Sequence, residues 1–371
     1  MTLAHPLAGP LASPLAGEGV SFPPELAGWA AKVADVQSGA SDALVLCIGD
    51  STTAGLGSNG HAYENGYANS WPVQLAALLR SAGLNARADS FMGARYNVTP
   101  AEDAEYDPRL TFGGAWGFGA TSTLGGPAMY NAEGAGTLAF APGVNTSALD
   151  VYYLSLNGLG SATVNVNGGS TLATVDMNQA SAVRKQTVTA TLGSNTWNIV
   201  RAAGSAYMLG AVARNAAVKQ VSVVNAGWSS ATTDNWNYTD TPQNVWNPLP
   251  AIQAVAPDLS IIGLGINDWL NTVDVEDYAT RLGNVIDAAQ ASGDVLLWTE
   301  VPSNTILLAT MQEYVDAAKA VAADKGVLVV DTFAQFGSFS AANGLGWMFD
   351  DAHPTGTGYG VIAQALADRL I

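Results

Sequence analysis

The stretch Ala43-Leu44-Val45-Leu46-Cys47-Ile48-Gly49-Asp50-Ser51-Thr52-Thr53-Ala54-Gly55 decides how the rest of the chain is read. Its first half is a short apolar run, closed by glycine, which reads as a buried strand of a parallel sheet. Such a strand delivers the residues that follow it to the carboxyl edge of the sheet, where ligands bind. Ser51 is therefore a hydroxyl held at a sheet mouth among small neighbours.

Downstream, the same texture returns. Val221 to Gly227, Leu259 to Leu264, Val295 to Thr299 and Val327 to Val330 read as strands. Between and around them, Pro24 to Val36, Ser70 to Ala82, Leu249 to Val255, Val275 to Ser292, Asn304 to Lys325 and Gly356 to Ile371 carry helical periodicity or helix start and stop signals. Alternating strands and helices imply a parallel sheet with right-handed crossovers. From about Arg95 to Val218 the helical period vanishes. Thr137 to Phe140, Asp150 to Leu156, Ala162 to Val166, Gln186 to Leu192, Thr196 to Val200 and Tyr207 to Ala213 are short β-rich segments, separated by turns such as Asn157-Gly158 and Asn167-Gly168-Gly169. The expected architecture is an α/β domain, residues 23–95 and 219–371, interrupted at 96–218 by an inserted antiparallel β-sandwich.

Residues 1–22 form a loose repeat, Pro6-Leu7-Ala8-Gly9, Pro10-Leu11-Ala12-Ser13, Pro14-Leu15-Ala16-Gly17, which reads as an extended tail or docking strap. It lacks the basic start and continuous apolar centre of a secretory signal. The compartment stays open, with export by another route or association with a virion among the readings. The 371 residues carry 14 Lys and Arg against 31 Asp and Glu, a net charge of -17. That sign repels phosphate backbones and anionic lipid, so neither nucleic acid nor a membrane surface is an expected partner. Only 12 % of residues are charged, and the abundance of Ser, Thr, Asn and Gly suits neutral polar ligands such as sugars. One cysteine, Cys47, cannot form a disulfide within the chain and reads as a small core residue. No stretch has the ligand spacing of a structural zinc or helix-loop-helix calcium site.

A serine becomes a nucleophile when a base takes its proton and a third group orients that base. Of three histidines, His5 sits in the tail and His61 in the polar loop Gly55 to Asn69; the Gly55-Leu56-Gly57-Ser58-Asn59-Gly60 spelling in that loop lacks the strand, helix and acidic residue of a dinucleotide site. His353 stands in Phe349-Asp350-Asp351-Ala352-His353-Pro354, with Asp350 three residues upstream. Two further strand ends offer hydrogen-bond donors to a developing oxyanion: Asn225-Ala226-Gly227 and Gly265-Ile266-Asn267-Asp268.

Together and in this order, the four stretches resemble the conserved blocks of the SGNH hydrolases, the GDSL-type esterase and lipase superfamily. Gly49-Asp50-Ser51 resembles the first block, Gly227 the second-block glycine, Gly265-x-Asn267-Asp268 the third and Asp350-x-x-His353 the fifth. The usual Gly-Asp-Ser-Leu becomes Gly-Asp-Ser-Thr here. For the second block, Gly93 in Ser90-Phe91-Met92-Gly93 rivals Gly227. The resemblance covers residues 40 to 95 and 218 to 371. It implies a three-layer, flavodoxin-like α/β/α fold and hydrolysis by Ser51, His353 and Asp350 without metal or cofactor. The oxyanion would rest on the Ser51 N–H, the Gly227 N–H and Asn267. Trp228, Trp236, Trp246, Trp269 and Trp347 lie in or beside the motif loops, and indoles at a polar cleft stack on sugar rings. Trp228, Trp269 and Trp347 are the candidate substrate contacts, with at least two of the five expected in the core. The inserted sandwich has the shape of carbohydrate-binding modules in esterases that deacetylate polysaccharide or peptidoglycan. A carbohydrate O-acetylesterase is the expectation. An acyltransferase, a lipid or other short-chain esterase, and an esterase carried on a phage particle through the tail are the alternatives.

Overall fold

The computed structural model describes residues 22–94, 99–132, 134–239 and 244–371. The tail at 1–22 lies outside the described residues except for Phe22, and so does His5. A six-stranded parallel sheet runs in the spatial order Leu328–Val330, Asp294–Trp298, Leu259–Gly263, Ala43–Gly49, Val221–Gly227, Ala86–Arg87. Setting aside the two-residue edge strand, the first strand in sequence lies between the second and third. This is the flavodoxin order, whose switch point lies beside Ala43–Gly49.

Residue alternation along that strand builds both cores. Val45 and Cys47 face a layer formed by helices Ala27–Ser38, Trp71–Ser81 and Gly356–Leu370. Leu46 and Ile48 face the opposite layer, helices Pro248–Val255, Val275–Gln290 and Leu308–Lys325. A strand buried on both faces must be apolar throughout, as this one is. The expected three-layer α/β/α domain is present, and Cys47 is a buried free thiol.

Two antiparallel sheets interrupt this domain. One runs Ala173–Asp176, Ser161–Val166, Trp197–Ala203, Thr137–Phe140, Leu110–Phe112; the other runs Ala182–Gly193, Thr146–Ser155, Ala206–Arg214, Gly126–Asn131, Gly117–Thr123. Their inward residues, among them Phe140, Val151, Trp197, Ile199 and Met208, share one core. Antiparallel pairing begins at Ser90–Met92 on Ala206–Arg214, ahead of the expected boundary at 96. Helix Pro100–Tyr106 has no strong apolar stripe, but Thr99 and Glu102 form a capping box at its start. The sandwich is fastened to the α/β domain by Trp246, buried against Ala128 and Leu154, whose Nε1 donates to the Ser155 carbonyl at 3.2 Å. Among the described residues no helix is long and apolar enough to cross a membrane.

Candidate active site

The strand Ala43–Gly49 ends where it must turn. A Cβ on Gly49 would lie 2.1 Å from Thr53 Oγ1 and 2.6 Å from the Gly263 carbonyl, so only glycine fits between the neighbouring strand and the turn that follows. Asp50 then caps the short helix Ser51–Ala54, its Oδ1 accepting from the Thr52 N–H at 2.9 Å. Gly55, at φ 100°, closes that helix. Ser51 is thereby held at the carboxyl edge, 6 % exposed.

The loop before the closing helix is as tightly specified. Asp350 Oδ1 accepts from the backbone N–H groups of Ala352 at 2.9 Å and His353 at 2.7 Å, and the Phe349 N–H donates to the His353 carbonyl at 2.8 Å. This turn sets the Asp350 oxygens 2.9 and 3.0 Å from His353 Nδ1. The other ring nitrogen, Nε2, lies 2.9 Å from Ser51 Oγ. A carboxylate can only accept, so Nδ1 carries the proton and Nε2 presents its lone pair to the Ser51 hydroxyl. Burial pushes the Asp350 carboxyl up, but the hydrogen bond and charge of His353 and the two backbone donors outweigh it and hold it down to about 2. Two contacts brace the loop. Ser303 Oγ and the Asn304 N–H both donate to the Asp351 carbonyl, and Phe349 packs over Gly57, where a Cβ would come within 2.7 Å of its ring. His61 is away from this cluster, exposed and 3.9 Å from Glu64.

The expected oxyanion donors fare differently. The Gly227 N–H is already engaged, donating to Asn225 Oδ1 at 2.9 Å. Gly227 is glycine for another reason: its Cβ would lie 2.2 Å from the Ala54 nitrogen, so it lets the strand end pass under the Ser51 helix. Asn225 completes that junction, its Nδ2 donating to the Thr53 carbonyl at 2.9 Å. Gly93 is no better a donor, since its N–H donates to the Leu209 carbonyl at 2.7 Å. Asn267 Nδ2 donates one hydrogen to the Ala231 carbonyl at 3.0 Å and has a second to offer. Next to Ala231, Ser230 is exposed and has a left-handed backbone at φ 62°. Among the described residues, no acceptor engages the N–H groups of Ser51 or Ser230.

The tryptophans are mostly structural. Trp269 is buried, edge-on to Tyr314 and Phe333, which corrects its expected role as a substrate contact. Trp228 is buried too, edge-on to Trp236 and against the turn at Gly126 in the sandwich. Trp236 and Trp246 are core residues. Trp347 alone of the five is partly exposed, packed on Phe336.

Beneath Ser51 lies a group of buried acids. Burial raises Asp50 to about 6 against the opposing hydrogen bonds of Thr52, and raises Asp268 to about 6 against those of Thr233. Thr233 gives Asp268 both its N–H, at 3.0 Å, and its hydroxyl, at 2.6 Å. Glu300, at the end of strand Asp294–Trp298, completes the group, and sequence reading passes over it. The signal was available: a lone acid two residues past the apolar run Val295-Leu296-Leu297-Trp298.

Residues 188–361 match the model of the GDSL-like Lipase/Acylhydrolase family, a span that holds Asn267, Asp350 and His353 but begins downstream of Ser51. Among solved structures, one titled "Peptidoglycan O-acetylesterase in action, 5 min" superposes with a TM-score of 0.60 at 20% identity, over 92% of this chain and 95% of that one. An acetyl-xylooligosaccharide esterase from Geobacillus is 22% identical over 41% of this chain and 73% of its own, at a TM-score of 0.34. A family two carbohydrate esterase from Cellvibrio japonicus is 12% identical over 74% and 96%, at 0.31. No curated protein matches the chain. The near full-length superposition at 0.60 extends the likeness in fold across the interrupted domain and its insertion, and residues 188–361 are similar to the GDSL-like lipase/acylhydrolase family.

Proposed function

We propose that the protein is a serine esterase that removes short acyl groups, acetyl foremost, from a carbohydrate. The observation that carries this reading is the line Asp350, His353 Nδ1, His353 Nε2, Ser51 Oγ, in which both gaps are close to 2.9 Å. In this reading His353 takes the Ser51 proton as Oγ attacks the ester carbonyl, and Asp350 holds the ring tautomer and stabilises the imidazolium. His353 then protonates the leaving alcohol. Water, activated by the same ring, attacks the acyl-enzyme and releases the acid together with free Ser51.

The negative oxygen of each tetrahedral intermediate rests on the Ser51 N–H, the second N–H of Asn267 and the Ser230 N–H, which takes the place expected of Gly227. Ser51 is nearly buried, which favours a small acyl group. The name of the solved acetylesterase and the polar composition favour a glycan carrier, with Trp347 as its available platform.

The test compares wild type with Ser51→Ala on p-nitrophenyl acetate, butyrate and octanoate, and measures acetate released from acetylated polysaccharides and peptidoglycan. Ser51-dependent acetate release that falls with chain length is the expected result. Activity rising toward octanoate would overturn the acetyl assignment, and activity surviving in Ser51→Ala would overturn the nucleophile. Adding competing alcohols to the same assay separates hydrolysis from acyl transfer by the product formed.

A further inference from the structure

Thr52 Oγ1 stands between two buried carboxyl groups. It lies 2.7 Å from Asp50 Oδ1 and 3.0 and 3.2 Å from the two oxygens of Glu300. Both acids are essentially inaccessible, at 0 % and 2 % exposure. A hydroxyl has one hydrogen, and an ionised carboxylate has none to give. With both acids charged, one of these contacts would be lone pair against lone pair, at a site where an unmade hydrogen bond is costly. One retained proton resolves the arrangement. It is better placed on Glu300 than on Asp50, because Asp50 Oδ1 already accepts from the Thr52 N–H and Oδ2 faces no partner to which a proton could be given.

We propose that Glu300 is the protonated member of a hydrogen-bonded chain, Glu300 to Thr52 Oγ1 to Asp50, and that through it Glu300 positions the turn carrying Ser51. Asp50 and Thr52 flank Ser51 directly, so this chain fixes the backbone on both sides of the nucleophile. The proposal rests on the esterase reading of that serine. Glu300 touches no reacting atom and acts only through its neighbours. The titratable groups facing it are Asp50 from the Ser51 turn, Asp268 from helix Ile266–Leu270, Tyr278 from helix Val275–Gln290 and Tyr359 from the closing helix. His353 faces Asp50 from the far side and favours the charged form of that acid. Burial, with the neighbouring acids, pushes Glu300 well up, in agreement with the proton count. Losing the Glu300 proton at alkaline pH would put a second charge against Asp50 and break the chain, so the enzyme has an alkaline limit set by a residue outside the reaction.

The experiment uses the full chain and two readouts. In infrared difference spectra at neutral pH, wild type minus Glu300→Gln should show the C=O stretch of a protonated carboxyl, a result independent of whether Ser51 is the nucleophile. In kinetics on p-nitrophenyl acetate, Glu300→Leu should lower kcat roughly 10- to 100-fold with little change in KM, as expected for a misplaced nucleophile. Glu300→Gln, whose amide can still donate to Thr52, should restore it. Above its alkaline midpoint, wild type should fall toward the Glu300→Leu rate, a loss of roughly 10- to 100-fold, while Glu300→Gln holds its rate. A protonated-carboxyl band that persists in Glu300→Gln would put the proton elsewhere and overturn the proposal, as would a Glu300→Gln variant with the wild-type alkaline fall. Should Glu300→Leu not fold, Thr52→Val removes the same link, and unchanged kinetics in that variant would overturn it too.

Discussion

His353 Nε2 and Ser51 Oγ lie 2.9 Å apart although 302 positions separate them in the chain. The turn after strand Ala43–Gly49 and the loop before the closing helix, each fixed by its own local hydrogen bonds, bring them together. Such preorganisation is what a proton transfer between the two groups requires.

Asp350→Asn should separate orientation from mere proximity. Its side chain is 44 % exposed, so the fold should survive with little change in Tm. The amide can give Nδ1 a hydrogen, and the tautomer with Nε2 protonated is then no base. We expect kcat to fall by about 10⁴-fold at neutral pH, with KM nearly unchanged. Steady-state kinetics beside a melting curve check it.

Asn267→Ala and Gly227→Ala should fail in different ways. The first removes a side-chain donor and should cost roughly 10²- to 10³-fold in kcat while the protein stays folded. The second drives a methyl group into the backbone of Ala54, 2.2 Å away, and should lower Tm and soluble yield. A Gly227→Ala variant with wild-type stability and a loss confined to kcat would restore Gly227 as an oxyanion donor.

Trp269→Ala should behave as a core deletion. The indole packs against Tyr314 and Phe333, and its removal should cost about 3 to 5 kcal/mol of stability. Trp347→Ala, at a partly exposed position, should cost far less and raise KM for a glycan ester more than for p-nitrophenyl acetate. Denaturant titration and the two KM values distinguish these effects.

Stability should fall as pH rises from about 4 through about 6. Asp268 holds its proton to about 6 in the fold, above the ordinary value of 3.8. The folded chain therefore binds protons more tightly than the unfolded one across that interval. The stabilisation is complete below about 4 and is lost as pH passes 6, an amount of about 3 kcal/mol for this one group. Melting curves across that range should show the decline, and Asp268→Asn should flatten it. Asp350 runs the other way: its depressed carboxyl favours the fold at ordinary pH and ceases to do so only as pH drops toward 2.

What the sequence made legible was what local chemistry dictates. Apolar strands closed by glycine, with small polar residues after them, placed Ser51 and Asn267 at one edge, and the Asp350-x-x-His353 spacing before a helix start marked the third loop. The tryptophans misled because their burial depends on distant partners: nothing near Trp269 announces Tyr314 or Phe333. Gly227, whose N–H donates to Asn225 Oδ1, is a related case. A glycine required by a passing backbone looks, in sequence, like one that frees an N–H for a ligand. Ser230 gave no sign, since the left-handed backbone of a serine is set by the turn around it. Several strands of the sandwich, such as Gly117–Thr123 and Gly126–Asn131, carry too many glycines and too little alternation to stand out.

The pairing of Met92 with Gly210 brings the two ends of the sandwich side by side. Its consequence is kinetic. Strand Ala43–Gly49 must wait for Val221–Gly227, and the flanking contact from the Gln220 N–H to Asp42 spans 178 positions. Closing so long a loop through disordered chain is slow, and the transient strand edges invite aggregation. If the insertion folds first, its paired ends replace most of that loop with a short tether, and each halving of effective length recovers about 0.6 kcal/mol of closure entropy. The sandwich then works as a folding staple for the central sheet. Mutations that loosen its core should slow assembly of the strand that leads to Ser51 before they alter any step of turnover.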